Sequence, residues 1–487
     1  MSVLVIDVGT SGLRSAVVTP DGAVHHVVYR AFAPSSPSPG LAEFDATEMG
    51  AFVLQVAAET TARHAADAVG GALSSVGVST QRASTVVWDR RTGVPIGPAL
   101  GWQDLRTVFD CIMAKANHGL ALAPNQSATK LAWLLATYDP DRNRDLLFGT
   151  VDTWIAWVLS GAGLHVTDHT NAAVTGLYDL AQRAWSASTC DALGIPMEML
   201  PTIVDTSGDI GVADALSTPL PIACLAGDQQ ASLVGQGCVI PGRAKITFGT
   251  GGMLDLYTGE TAPATANRGK HGTFPIVAFS RDGRTHYGVE AIMLSAGSNV
   301  EWLREDMGLI DTAAHSHDVA IQCESSDGVM YVPALMGLGT PHWDYGARGT
   351  LLGVTRGTGR SHIVRAVLEG IAQRGADLVD AAEAETGLGI PSLRIDGGMS
   401  ENPTFVQALA NAAGKPVEVS PIAEATTLGA GYLAGLADGT WSGLAEIADT
   451  WSPRVSVAPN GPQTREQWAQ AVRRSSRWIP DLSALDF

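Results

Sequence analysis

Two glycine-rich turns are the places where this chain could hold an anion. The first, Asp7-Val8-Gly9-Thr10-Ser11-Gly12, follows a short apolar run at residues 3–6 and precedes another at 15–18. The second, Gly249-Thr250-Gly251-Gly252, lies between Ala244-Lys245-Ile246-Thr247-Phe248 and Met253-Leu254-Asp255-Leu256-Tyr257. Such turns expose backbone N–H groups with no side chain in the way, and a Thr or Ser adds a hydroxyl donor. Facing one another, the two would clamp a phosphate. Either alone equally fits an ordinary hairpin. Asp7 is the kind of ligand Mg²⁺ prefers, and Arg14 could balance phosphate charge.

A third candidate is Asp228. It follows the apolar stretch Ile222-Ala223-Cys224-Leu225-Ala226 and precedes two amides, Gln229 and Gln230. A carboxylate at the end of a buried strand can act as general base toward a hydroxyl, although a lone Asp is more often a turn residue. His165 and His169 have the spacing of ligands on one helical turn. Their surroundings are β-branched and polar, which favours a structural role. Gly269-Lys270 and Gly414-Lys415 are followed by His271 and Pro416, so neither is a Walker A loop. Gly429-Ala430-Gly431 lacks the strand and spacing of a dinucleotide fingerprint.

The elements that must position these residues alternate. Strand, turn and strand open the chain, with a further turn at Pro20-Asp21-Gly22. A helix is predicted from Asp45, with Glu48 completing a capping box and Met49, Phe52, Val53, Val56 and Ala57 at helical spacing. Residues 393–395 form a short strand entering Asp396-Gly397-Gly398. A helix capped by Asn402, with Pro403 in its first turn, runs to Gly414, and the next strand is at 416–419. This alternation implies an α/β architecture. The two glycine turns lie almost half a chain apart between similar strands, the mark of two related halves, and the break falls near 235–242.

Composition narrows the function classes. The 487 residues suffice for two large domains. Net charge is −18, from 31 basic and 49 acidic residues, which argues against nucleic-acid and anionic-membrane surfaces. Apolar residues make up 45%, enough for a large core. Five cysteines with no CxxC pair predict buried thiols in a reducing compartment. No basic n-region precedes an apolar run at the N-terminus, and no uncharged stretch is long enough to span a bilayer. A cytoplasmic protein is expected.

Together these pieces resemble the FGGY family of carbohydrate kinases, and within it the glycerol-kinase branch, over essentially the whole chain. Residues 349–354, followed after seven residues by His362-Ile363 and then 366–369, match the C-terminal family signature. Residues 127–134 match much of the N-terminal one. Residues 147–154, 166–168, 170–172 and 339–344 are also similar to glycerol kinases.

The resemblance implies two actin-like, ribonuclease-H-like domains, here 1–238 and 239–487, with the active site in the cleft between them. It implies transfer of the ATP γ-phosphoryl group to a hydroxyl of a small polyol or sugar, with ATP and Mg²⁺ as cofactors. A homodimer is compatible with it. Thr10, Ser11 and Arg14 match the first phosphate turn and Thr250 the second. Gly297, Gly398 and Asn402 match nucleotide contacts, as does Glu301, where glycerol kinases usually carry Gln. Asp228 matches the catalytic base and, with Asp7, the metal-associated aspartates. Arg82, Trp102 and Gln229 match polyol contacts.

Three pocket positions depart from glycerol kinases: Ala83 in place of Glu, Asn125 in place of Tyr, and Met253 in place of Phe. Losing the Glu acceptor costs ~1–3 kcal/mol, enough to lower glycerol affinity roughly tenfold or more. The smaller side chains also widen the pocket. The acceptor is therefore expected to be a larger polyol or a ketose of four or five carbons, or glycerol itself with the loss compensated. An actin- or chaperone-like ATPase would show acceptor-independent turnover, and a non-catalytic polyol sensor would bind without turnover.

Overall fold

The computed structural model describes residues 1–264, 267–422 and 424–485. Its backbone is one thirteen-stranded mixed sheet. The strands are β1 (Ser2–Val8), β2 (Gly12–Val18), β3 (Val24–Ala31), β4 (Leu73–Thr80), β5 (Ser207–Val212), β6 (Pro221–Gly227), β7 (Ala244–Phe248), β8 (Gly252–Gly259), β9 (Phe274–Arg281), β10 (Arg284–Met293), β11 (Leu393–Asp396), β12 (Val417–Val419) and β13 (Val455–Val457). Their order across the sheet is 13-12-11-7-8-10-9-5-6-4-1-2-3.

The two halves repeat one plan. In the first, β1 and β2 are an antiparallel hairpin, with β4 parallel to β1 and β6 parallel to β4. In the second, β7 and β8 are the hairpin, with β11 parallel to β7 and β12 parallel to β11. The two glycine turns close corresponding hairpins, so the duplication expected from sequence is present in the topology. The halves meet where β5 pairs with β9 at a single position, Ser207↔Arg281.

Six helices carry the rest of the argument: α1 (Ala46–Asp67), α2 (Asp228–Gly235), α3 (Ser298–Glu305), α4 (Arg360–Thr386), α5 (Pro403–Ala413) and α6 (Ala425–Asp438). Asp45 caps α1 by accepting from the N–H groups of Thr47 and Glu48 at 2.8 and 3.1 Å. Its buried stripe, Met49, Val53, Val56, Ala57, Thr60 and His64, lies over β2 and β3. Asn402 caps α5 by accepting from Phe405 N, and Pro403 begins it.

Helices α2 and α6 cross with their backbones in contact. A Cβ on Gly429 would lie 1.7 Å from Ala231 O, and one on Gly235 would lie 1.9 Å from Ala425 O. Glycine is obligatory at both positions, which explains Gly429 without a dinucleotide. Through this crossing α6 also reaches β1, β4 and β6 of the first half.

Each half has its own core, one built around Ile246, Phe248, Leu368, Ile395 and Phe405, the other around Leu4, Ile6, Val53, Val78 and Trp88. All five cysteines are free thiols, and Cys111, Cys190, Cys224 and Cys238 are buried. His165 bonds Phe148 O and His169 bonds the Tyr178 hydroxyl, both at 2.8 Å, so both are structural, as their surroundings suggested. Among the described residues, no helix is long and apolar enough to cross a membrane.

Candidate active site

The hairpin register places Asp7 opposite Arg14 across β1 and β2. Their side chains share a face, with Arg14 Nε 3.7 Å from Asp7 Oδ2. Two residues at the start of α6 complete the group. Glu424 pairs with Arg14, and the Thr427 hydroxyl donates to Asp7 Oδ2 at 3.5 Å. Arg14 therefore sits between two carboxylates. Burial pushes the Asp7 carboxyl up to about 6; Arg14 opposes this and nearby Asp228 reinforces it.

Asp228 is the first residue of α2, where β6 ends. Burial raises its pKa as well, opposed by Arg82 and by the Gln229 N–H. The Gln229 N–H donates to Oδ1 at 2.8 Å, and Arg82 Nε lies 3.7 Å from the same oxygen. Both contacts fall on Oδ1, which leaves Oδ2 for another partner. The side chain is 27% exposed, so that oxygen is reachable.

Arg82 is held from its far side. Its Nη2 donates to Glu290 Oε2 at 2.7 Å, and Met253 Sδ is 3.9 Å away. Its Nη1 is buried with no hydrogen-bond partner among the described residues. Gln229 Oε1 accepts from Lys245 Nζ at 2.8 Å. That fixes the amide, because its oxygen is occupied and its NH₂ must point elsewhere.

Sequence reasoning missed the charged row behind these residues. Lys245, Asp255 and Glu290 lie opposite one another on β7, β8 and β10. Asp255 and Glu290 would repel, but Lys245 Nζ lies 2.9 Å from Asp255 Oδ2 and Arg82 takes Glu290. Lys245 and Asp255 are wholly buried. The available signal was one charged residue inside each of two otherwise apolar strands flanking the second turn.

Trp102 joins the Ser84 region to the first turn. Its Nε1 donates to Thr10 Oγ1 at 2.9 Å, and its own N–H donates to Ser84 Oγ. Ser84 in turn donates to Gln81, whose side chain donates to Gly9 O. Ala83 is buried with a left-handed backbone, φ 60°, and its carbonyl accepts from the Ser127 hydroxyl at 2.9 Å. Asn125 is exposed, two residues from Ser127.

The second turn is braced by two glycines. A Cβ on Gly297 would lie 2.6 Å from Gly249 O, and one on Gly397, at φ +84°, would lie 2.3 Å from Phe248 O. Thr250 and Ser11 are exposed at the turn tips, Glu301 is exposed on α3, and Gly398 is open to solvent. The Asn402 side chain is occupied, its oxygen capping α5 and its NH₂ donating to Ser316 at 2.8 Å.

The structure thus gathers Asp7, Thr10, Arg14, Arg82, Trp102, Asp228 and Gln229 at one end of the first half. Thr250, Gly297 and Gly398 lie together at the matching end of the second. Met253 and Lys245 link the two groups.

Comparison with known proteins places the chain in a family. Residues 2–235 match the N-terminal domain model of the FGGY family of carbohydrate kinases, and residues 244–437 match its C-terminal domain model. The chain belongs to the FGGY family of carbohydrate kinases. It is 40% identical over 496 residues to a glycerol kinase of Trichlorobacter lovleyi, covering 98% of this chain and 99% of that one. A Thermus thermophilus glycerol kinase is 38% identical over 492 residues, covering 96% and 98%. Among solved structures, Plasmodium falciparum glycerol kinase with ADP superposes with a TM-score of 0.89 at 29% identity, covering 97% and 98%. A ligand-bound xylulose kinase of Lactobacillus acidophilus superposes with a TM-score of 0.86 at 22% identity over 100% and 99%, a likeness of fold. As a member of this family the chain is a kinase that uses ATP and phosphorylates a hydroxyl acceptor.

Proposed function

We propose that Asp228 is the general base for transfer of the ATP γ-phosphoryl group to a small polyol or sugar. The observation that carries this reading is the position of Asp228. It stands at a strand end between Asp7 of the first phosphate turn and Arg82 of the acceptor pocket, with one carboxylate oxygen held and the other reachable. A base held this way can accept the proton of the attacking hydroxyl, and a carboxyl whose pKa is raised by burial is the stronger base for that task.

Residues 1–238 form the acceptor-side domain in this reading and 239–487 the nucleotide-side domain. Thr10, Ser11 and Thr250 offer hydroxyls and turn N–H groups to the phosphates, with Arg14 held beside the first turn. Gly297, Glu301, Gly398 and Asn402 surround the nucleotide, Asn402 through its backbone because its side chain is occupied. Asp7 and Asp228 suit Mg²⁺: two neighbouring carboxylates, each driven up by burial and Asp7 further by its partner, hold negative charge that a divalent cation would neutralise. Bound Mg²⁺ would supply charge neutralisation on the phosphate oxygens.

The acceptor lies against Arg82, Trp102, Gln229, Ala83, Asn125 and Met253. Arg82 Nη1 has no hydrogen-bond partner among the described residues, and the Gln229 NH₂ is turned away from Lys245. Both are donors, and Ala83 contributes no acceptor. The pocket accordingly suits a molecule rich in lone pairs and larger than glycerol, a ketose or polyol of four or five carbons. The full-length identity to glycerol kinases favours a second reading, glycerol with the missing acceptor compensated.

A coupled ADP-release assay with ATP and Mg²⁺ decides between them, using glycerol, erythritol, threitol, ribitol, xylitol, arabinitol, erythrulose, ribulose and xylulose. A four- or five-carbon acceptor exceeding glycerol in kcat/KM supports the wider pocket. A clear glycerol preference supports the second reading, and ADP release independent of any acceptor would overturn both.

A further inference from the structure

A second cluster of ligating groups lies outside the site just described. His26 on β3, and His64 and Asp67 in the last turn of α1, each offer one ligand atom, and the three atoms lie within 4.8 Å of one another. His26 Nε2 is 3.1 Å from Asp67 Oδ1. In a tetrahedral site with bonds of about 2.1 Å, ligand atoms stand about 3.4 Å apart, so only small side-chain shifts are needed.

An independent observation points to a missing partner. His64 is 5% exposed. Its Nε2 lies 3.0 Å from Gly71 O. A carbonyl only accepts, so the proton resides on Nε2 and Nδ1 carries a lone pair. That Nδ1 is buried and meets no donor among the described residues. An imidazole whose second nitrogen is fixed by a backbone carbonyl is the arrangement that orients histidine as a metal ligand. The cluster also sits at a helix C-terminus, where the macrodipole favours a cation.

The geometry points to a binding site for a divalent transition-metal ion of the zinc class, formed by His26, His64 and Asp67. Two imidazoles and one carboxylate are a zinc-type donor set, and three protein ligands leave a fourth position for water. The ion would take the place of the proton shared by His26 and Asp67. It would pin α1 to β3, a strand paired on one side only, at the end of the β2–β3 hairpin remote from Arg14. The site is structural in this proposal and takes no part in phosphoryl transfer.

The test uses the full chain, stripped with a chelator and kept in excess Mg²⁺ to occupy the carboxylates of the kinase site. Zn²⁺ is titrated against a chromophoric competitor, and Co²⁺ is followed by its visible d–d absorption. The expected result is about one ion per chain at micromolar affinity or tighter, with a zinc-dependent rise in Tm. His26→Gln, at a half-buried position, and Asp67→Asn, at an exposed one, should weaken binding at least ~10-fold and abolish the Tm rise while leaving kinase turnover unchanged. No zinc uptake by the wild type below ~100 µM, or equal uptake by both variants, would overturn the proposal. His64→Ala is a weaker probe, because it also opens the core.

Discussion

The indole Nε1 of Trp102 donates to the hydroxyl oxygen of Thr10 at 2.9 Å. One bond therefore ties a residue of the proposed acceptor pocket to the proposed first phosphate turn, and it leaves the Thr10 proton free to donate onward. Trp102→Phe keeps the ring and removes the donor. Loss of one such bond at ~1–2 kcal/mol predicts a drop of about 5- to 30-fold in kcat/KM for both ATP and the acceptor. Steady-state kinetics with each substrate varied in turn checks this. A change confined to the acceptor KM would show that the bond does not couple the two substrates.

Asp228→Asn preserves shape and removes the proposed base. Turnover should fall by at least ~10³-fold, while nucleotide affinity measured by calorimetry stays within about threefold. Near-normal turnover in this variant would remove Asp228 from the mechanism.

Lys245 neutralises a buried row. Lys245→Met leaves Asp255 facing Glu290 and releases the Gln229 amide. Breaking a buried pair from one side costs about 3–5 kcal/mol, and replacing both partners with apolar residues costs far less. Urea denaturation of Lys245→Met, Asp255→Leu and the double variant should therefore show a large favourable coupling. Additive losses would mean that the pair does not act as a unit.

Asp152 gives the fold a pH dependence of its own. It is buried beside Asp168, and burial, reinforced by that neighbour, pushes its carboxyl up to about 7. The folded state then binds more protons than the unfolded state between about pH 4 and 7. Its contribution is therefore full below that window and lost as pH rises through it, amounting to roughly 2–4 kcal/mol by pH 8. Asp152→Asn should flatten the fall in urea midpoint between pH 5 and 8. An unchanged slope would assign that titration elsewhere.

Gly429→Ala drives a methyl into Ala231 O at 1.7 Å, where only backbone movement could make room. A loss of about 3 kcal/mol or more, or failure to fold, is expected. Gly439→Ala offers a contrast: nothing lies within 4 Å of its added Cβ, and the cost is confined to its left-handed backbone at φ +81°. Comparable Tm values for the two variants would contradict the backbone contact between the helices.

Local structure was legible wherever short-range chemistry decides it. Asp45, Asn402 with Pro403, and both glycine turns announced their elements because capping and turn preferences act over a few residues. The duplicated hairpin was visible for the same reason. What stayed hidden depends on strand register. Lys245, Asp255 and Glu290 become one row only when three strands align, and nothing local to any of them signals the other two. Glu424 and Thr427 reach Arg14 and Asp7 from more than 400 positions away, through a helix crossing whose glycines resemble a different motif. Asn402 carries the cap that the sequence predicted, and its amide is taken up by Ser316, a partner no local pattern signals.

The join between the two halves of the sheet, Ser207 against Arg281, has a mechanical consequence. A sheet resists bending through its ladder of hydrogen bonds, and here the ladder narrows to one rung at its midpoint. The seam is bridged by more than that rung: the Thr206 N–H donates to Ser280 Oγ at 3.0 Å, the Ser280 N–H donates to Thr206 Oγ1 at 2.9 Å, and α6 packs on β1, β4 and β6. Side chains and a helix therefore resist bending at the join, and Thr206→Val, which removes the reciprocal hydroxyl, should speed hydrogen exchange at the Ser280 amide relative to the β1–β4 ladder.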